Sequence, residues 1–378
     1  MLKTLTKNII FSLKKNNISF HKYQYTQDFA RILFFLKNED INNAIGVLKK
    51  KVFGIHSISP AIRTSSILKN IINRTLEIGK DILDQNDSFA IRARRSGKHP
   101  FTSQDVAEQC GYAVLSCFKD LNLNVNLSNP KKKIFIEVRD NFTYIFTRII
   151  KTDWGGLPIE PGKHIINMDI GRPTDSLAAF LLMKRGCNIH PIIFNLFENK
   201  KNLDSILSNW KIIGTYYNDK NLDLNIINFN PILKKIHNEI IEKKYVCALC
   251  NLIRLKIISN LLKSSHFKGK VKIRGLTTGI NLTNIDCCPN AVDLDILAYS
   301  NEFLDLPVFT SCIGLEIKEI IDMLNKISPY LKGKKYCPYC PKNQEFNYQL
   351  VYDLYESMNL EKYIKKELFE VKNLNIYS

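Results

Sequence analysis

The sequence predicts an α/β protein of two or three domains, ending in a doubly wound parallel sheet. Length is the first indication: 378 residues at ~100–200 residues per domain. The second is a breaker-rich linker after Trp154, where Gly155-Gly156-Leu157-Pro158 and Pro161-Gly162 interrupt the pattern. The third is the regular alternation of strand and helix patterns beyond that linker, the signature of βαβ units.

Before the linker, residues 1 to about 60 read as helix, strand, helix, with Thr26 to Lys50 carrying apolar residues at helical spacing (Phe29, Ile32, Leu33, Leu36, then Ile41, Ile45, Leu48). An amphipathic helix is expected from Ile67 to Leu83. Ser88 to Ala93 reads as a strand, with Phe89 and Ile91 alternating against Ser88, Ala90 and Arg92. Thr102 to Phe118 reads as a helix with Val106, Cys110, Val114 and Leu115 on one face and Thr102 or Ser103 as cap. Ile134–Val138 and Thr143–Ile149 pair as a hairpin around Asp140-Asn141. After the linker the expected strands are Ile165–Ile170, Ile189–Asn195, Ile226–Asn228 and Lys270–Thr277. The expected helices are Asp175–Lys184, Pro231–Lys243 and Asn251–Lys263, and the last ~30 residues look helical and charged.

Lys and Arg total 54 against 36 Asp and Glu, a formal net charge of +18. Such a surplus favours polyanionic partners, nucleic acid first. A general lysine bias in the proteome is the plainer account of it. No segment approaches the ~18 apolar residues needed to cross a bilayer, so no membrane is expected. The start, Met-Leu-Lys-Thr-Leu-Thr-Lys-Asn-Ile-Ile-Phe, does not read as a signal peptide. The ten cysteines are therefore expected in the reducing cytoplasm, where metal binding or catalysis outranks disulfides.

The charge concentrates in Phe89-Ala-Ile-Arg-Ala-Arg-Arg-Ser-Gly-Lys-His-Pro-Phe-Thr-Ser103, between a strand and a helix start. Arg92, Arg94, Arg95 and Lys98 can reach phosphates, His99 can touch RNA, and the helix amides add an anion site. A solvated basic turn is the plainer reading. Farther on, Gly171-Arg-Pro-Thr-Asp-Ser176 links a strand to a helix. On its own it is equally well a simple turn with Asp175 or Ser176 as cap.

The cysteines supply two C-x-x-C pairs, Cys247-Ala-Leu-Cys250 and Cys337-Pro-Tyr-Cys340. Two such pairs indicate a zinc site or an iron–sulfur cluster; two unrelated pairs of buried thiols are the alternative. Cys110, Cys117 and Cys187 read as core, as does His190. Cys287-Cys288 is a poor vicinal pair for one metal, and His237 and His266 have no evident partner.

The segment from Phe89 to Ser103 resembles the signature of the THUMP domain, an RNA-binding module. Likeness continues through Trp154-Gly-Gly-Leu-Pro158 and Leu177-Ala-Ala-Phe-Leu-Leu-Met-Lys-Arg-Gly-Cys-Asn-Ile-His-Pro191. Together these segments resemble the tRNA 4-thiouridine synthase (tRNA sulfurtransferase) family, archaeal type without a rhodanese domain. The resemblance implies an α/β multidomain chain: an N-terminal ferredoxin-like region (1–62, truncated or differently begun), a THUMP domain (63–153) and a doubly wound PP-loop (adenine nucleotide alpha hydrolase-like) domain (154–378). The family holds ATP on Ser-Gly-Gly-x-Asp-Ser. Here Asp175 and Ser176 match, Gly171 replaces the serine, and Arg172 and Pro173 replace the glycines. Proline removes one cradle amide, so the loop either binds ATP and Mg2+ differently, with Arg172 gripping phosphate, or no longer binds them. The family's Thr-Gly-Glu-Ser-Leu-Gly-Gln reads Thr278-Gly-Ile-Asn-Leu-Thr-Asn284.

By this resemblance the expected nucleotide residues are Gly171, Arg172, Thr174, Asp175, Ser176, Thr278 and Gly279. Asp175 and Cys337 would be catalytic. Cys247, Cys250 and Cys337 match the family's cluster ligands, with Cys340 a fourth that would close the site. The implied activity is ATP-dependent thiolation of uridine in tRNA, with sulfide or persulfide as donor and a homodimer as one assembly. The alternative is a non-catalytic tRNA-binding paralogue with a decayed loop and a structural metal held by all four of these cysteines.

Overall fold

The computed structural model describes residues 1–378 except 199, 218–221, 265–266, 268–270, 284–293, 296, 332–336, 370 and 376–378. Cys287, Cys288 and His266 lie outside the described residues. The chain divides into two units, Ile9–Gly155 and Gly156–Ser378, the latter taking in Met1–Asn8.

The chain begins with α1 (Leu2–Lys15), β1 (Lys22–Tyr25), β2 (Ile32–Phe35) and α2 (Asn38–Lys51). The helix expected from Thr26 to Lys50 is thus two elements. The run Ile32-Leu-Phe-Phe35 pairs antiparallel with β1, and Phe34 stacks on Tyr23 with centroids 5.8 Å apart. A short apolar run fits strand or helix by period alone, and the partner strand decides. Asp28 closes the intervening turn by accepting from Thr26 Oγ1 (2.6 Å) and the Ala30 amide (3.1 Å).

Next come β3 (Ser57–Ile58), β4 (Ile62–Ser65), α3 (Leu68–Ile82), β5 (Ser88–Ser96), α4 (Ser103–Cys117), β6 (Asn124–Val125), β7 (Lys132–Arg139), β8 (Phe142–Phe146) and β9 (Ile150–Lys151). Five strands form one sheet in the order β4-β8-β7-β5-β6. Its apolar face, with Phe89, Ile91, Ile134, Ile136 and Val138, buries the stripes Ile71/Ile78 of α3 and Val106/Cys110/Val114 of α4. The β7–β8 hairpin turns at Asp140, whose φ of 51 is a left-handed conformation suited to Asp. Cys110 is core, but Cys117 is exposed and Cys187 half-buried. The stripe of α4 ends with the helix, and Phe118 rather than Cys117 continues it.

The second unit runs β10 (His164–Asp169), α5 (Pro173–Met183), β11 (Asn188–Asn195), α6 (Lys200–Gly214), β12 (Asp223–Asn228), α7 (Asn230–Glu239), α8 (Val246–Lys263), β13 (Ile273–Thr278), β14 (Val308–Phe309), α9 (Ile317–Ile327), α10 (Tyr348–Ser357), α11 (Leu360–Phe369) and β15 (Lys372–Asn375). The sheet order is β14-β13-β10-β11-β12-β15, parallel except for β15, which runs antiparallel to β12. The chain leaves β10 first toward β11 and later returns on its other side as β13. The crevice beyond the carboxyl ends of β10 and β13 is therefore a topological switch point, where such sheets bind ligands.

Two further expectations change. Residues 243–263 are long and apolar enough to cross a membrane by composition, yet 72% of that window is buried inside the protein. It is a core helix: Leu249, Leu252, Ile253, Ile257 and Ile258 pack beneath the sheet. Helix α8 also begins at Val246, five residues earlier than expected, so Cys247 and Cys250 sit on its first turn rather than in a loop.

Candidate functional site

The loop after β10 lies at the switch point, with the end of β13 beside it. Gly171 takes a φ of +93, the left-handed turn that lets β10 feed directly into α5. Pro173 begins the helix, where its missing amide proton costs nothing. Asp175 is fully buried and heavily used. Its carboxylate accepts from the amides of Ile170 (3.0 Å), Arg172 (3.3 Å) and Gly279 (2.9 Å). Arg172 is only 3% exposed. Its Nη2 donates to Asp175 Oδ1 (2.8 Å) and to Thr278 Oγ1 (3.0 Å), and its Nε to Asp175 Oδ1 (3.1 Å). Thr174, Ser176 and Thr278 are buried around the pair. Gly279 has no room for a side chain, since a Cβ there would collide with the Asp175 amide nitrogen.

The fold thus gathers all seven nucleotide residues expected from the sequence, but it turns Arg172 inward. A polyphosphate needs free amides and open backbone, and these amides already serve carboxylates. In this arrangement the residues do not fit ATP. Sequence reasoning missed two neighbours. Asp169, fully buried at the end of β10, accepts from the Gly171 amide (2.6 Å) and from Trp210 Nε1 (2.7 Å). Burial, and then the Asp175 charge, push its carboxyl up to about 7. Nothing but a buried tryptophan on an unassigned helix could have flagged the pairing.

The cysteines form a second cluster. Cys247 and Cys250, three apart, share one face of the first turn of α8. Cys337–Cys340 is a tight turn closed by the Cys340 amide on the Cys337 carbonyl (3.2 Å). Cys247, Cys250 and Cys337 line a cavity of about 20 Å³ with Asn251, Arg254 and Tyr339. The Cys247 thiol interacts with that of Cys340. This interaction, then burial, raises the Cys247 thiol far above its ordinary range, while it lowers Cys340 to about 7. Gln344 Nε2 also donates to Cys340 (3.4 Å). Among the described residues, no three His, Cys, Asp or Glu side chains stand as a ready metal cage. The four thiols are gathered in one place without the geometry of such a cage.

The third feature is the basic face of β5. Arg92 and Arg94 project from the face opposite Phe89 and Ile91. Arg92, Arg94, Arg95 and Lys98 are exposed. Arg92 donates to the Leu127 carbonyl, and Arg95 Nη1 to the Gly97 carbonyl (3.1 Å). His99 lies flat on Phe101 (5.4 Å) with Nε2 3.2 Å from the Ser96 carbonyl. The helix start behind them is capped, Thr102 Oγ1 accepting from the Asp105 amide (3.1 Å) and Asp105 from the Thr102 amide (2.8 Å). Outside these sites, His190 is half-buried with Nε2 2.9 Å from His164 Nδ1, and His237 rests on Tyr339 (5.2 Å).

Residues 67–148 match the model of the THUMP domain, and residues 171–352 match the model described as thiamine biosynthesis protein (ThiI). The chain is 29% identical over 384 residues to a probable tRNA sulfurtransferase of Methanosarcina mazei, spanning 99% of this chain and 90% of that one. It is 28% identical over 348 residues to a probable tRNA sulfurtransferase of Saccharolobus islandicus, covering 91% and 84%. Among solved structures, a 4-thiouridine synthetase crystallised with RNA and bound ATP matches with a TM-score of 0.81 at 18% identity, covering 99% of this chain and 94% of that one. A Pyrococcus horikoshii protein matches at 0.62 and 24% identity, covering 86% and 92%. Those two likenesses concern the fold, which is that of a THUMP domain joined to an α/β PP-loop-like domain. With both models matched and likeness running from end to end, the chain resembles the THUMP-containing tRNA sulfurtransferases over its whole length.

Proposed function

We propose that this chain is a tRNA sulfurtransferase that binds tRNA through the basic face of β5 and moves sulfur onto it in an ATP-dependent reaction. The observation that carries the reading is likeness over 99% of the chain to a protein named probable tRNA sulfurtransferase. The product proposed is 4-thiouridine, with sulfide or persulfide as donor. Arg92, Arg94, Arg95, Lys98 and His99 take the RNA backbone, positioning it without reading sequence. Domains at 1–62, 63–153 and 154–378 divide the work into docking, RNA grip and chemistry.

Replacing a uridine carbonyl oxygen with sulfur needs that oxygen activated as a leaving group, which is what ATP supplies when bound. Cys337 is proposed as the thiol nearest the transfer. Cys247, Cys250, Cys337 and Cys340 are soft donors suited to an iron–sulfur cluster or zinc, which would hold sulfur or fix the turn. The second reading, a non-catalytic tRNA-binding paralogue, is favoured by the Arg172–Asp175 pair in the loop.

The test is an anaerobic thiolation assay with tRNA, MgATP and sulfide, scored by nucleoside mass. The wild type is expected to form 4-thiouridine. Cys337→Ala is expected to form none while binding tRNA as tightly as the wild type. A wild type that binds tRNA but never thiolates it sinks the enzyme reading and leaves the paralogue.

A further inference from the structure

The loop after β10 is already filled by its own side chains. Three amides (Ile170, Arg172, Gly279) point at the Asp175 carboxylate and a fourth (Gly171) at Asp169. Clustered amides of this kind are what cradle phosphate oxygens in nucleotide loops. Here two internal carboxylates take the phosphates' place. Across them lies the Arg172 guanidinium, held by Asp175 at 2.8 Å and by Thr278 Oγ1 at 3.0 Å. It thereby neutralises Asp175 from within the fold, and it ties the loop after β10 to the end of β13.

We infer that Arg172 is a latch: it closes the phosphate loop on Asp175, and nucleotide enters only when the guanidinium lets go. A second observation argues that the closed form is not the whole life of the loop. Ser176 Oγ, in the first turn of α5, and Asn167 Oδ1, on the adjacent strand, are buried without a hydrogen-bond partner. Buried polar atoms are almost always satisfied, and orphans on both sides of a nucleotide-type turn mark it as incomplete without a ligand. Pro173, with φ fixed by its ring, keeps the helix start rigid, so the motion belongs to the Arg172 side chain and not to α5. The inference rests on the reading of this loop as a nucleotide site.

The latch lowers apparent ATP affinity by the fraction of molecules that are open. Calorimetric titration of the full chain with MgATP tests it, comparing the wild type with Arg172→Gly and Thr278→Val. Arg172→Gly is expected to bind at least about tenfold tighter than the wild type. Thr278→Val removes one tie and leaves Asp175 paired, so a gain of about threefold is expected. Equal or weaker binding by Arg172→Gly overturns the latch and leaves ATP dependence standing. Absence of binding by all three proteins overturns both. If Arg172→Gly lacks a native near-ultraviolet dichroism spectrum, Thr278→Val decides, and unchanged or weaker affinity there overturns the latch.

Discussion

Two strand-to-helix junctions in this protein use the same parts to opposite ends. β5 leads through Gly97 (φ +92) to α4, and β10 through Gly171 (φ +93) to α5. Each has arginine nearby, and each has an aspartate at the third helical position that accepts from the N-cap amide, Asp105 in α4 and Asp175 in α5. At the first junction the arginines reach solvent, and the aspartate serves only the cap. At the second the arginine is buried, and the aspartate is its counter-charge. The difference teaches that an arginine beside a helix start is an anion receptor only while no carboxylate within the fold can reach it. Once Asp175 does, the same side chain becomes a strut.

The largest effect should come from breaking the strut. Asp175→Ala leaves a buried guanidinium uncompensated, which costs about 3–5 kcal/mol, against about 1 kcal/mol for Thr102→Ala, which removes only the cap of α4. Urea unfolding of both variants measures the contrast, and equal losses would erase the distinction between the junctions. The open junction is tested next. Arg94→Ala with Arg95→Ala should weaken tRNA binding by roughly tenfold and lower the slope of log K against log salt by roughly 1.4–1.8, with unfolding unchanged. An unaltered slope would remove β5 from the RNA interface.

A further effect concerns pH. The Asp169 carboxyl stands at about 7 in the fold against 3.8 ordinarily. Between those values the folded protein holds a proton that the unfolded chain has released. Stability therefore falls as pH rises through that window. Asp169→Asn should show a flatter profile from pH about 4 to about 7 in thermal unfolding, and parallel profiles would mean that Asp169 ionises freely.

Much of this was legible in the residues, because the signals were local. The strand of alternating Arg, the cap at Thr102, the Asp140-Asn141 turn and the βα alternation each depend on near neighbours. Likeness to the family was legible for the same reason. What escaped depended on distant partners. Whether Arg172 faces a phosphate or Asp175 is decided with Thr278, 106 positions away in sequence. Ile32–Phe35 became a strand because β1 was there to pair with it. The Cys247-Ala-Leu-Cys250 spacing suits a loop knuckle and a helical turn alike, and the helix won because Val246 to Ile258 is core on nearly every side. Trp210 reached Asp169 from a helix the pattern did not reveal.

The missing space at Gly279 has a consequence for how this joint can be altered. A single methyl at that position would collide with the backbone of Thr174 and Asp175. At that one point the two segments that face the crevice meet backbone against backbone. A new residue on one side is met at once by the other. Arg172 and Asp175 on one segment and Thr278 and Gly279 on the other are separate along the chain; in three dimensions they form one joint. A designer who changes one half of that joint would therefore have to refit the other half to it.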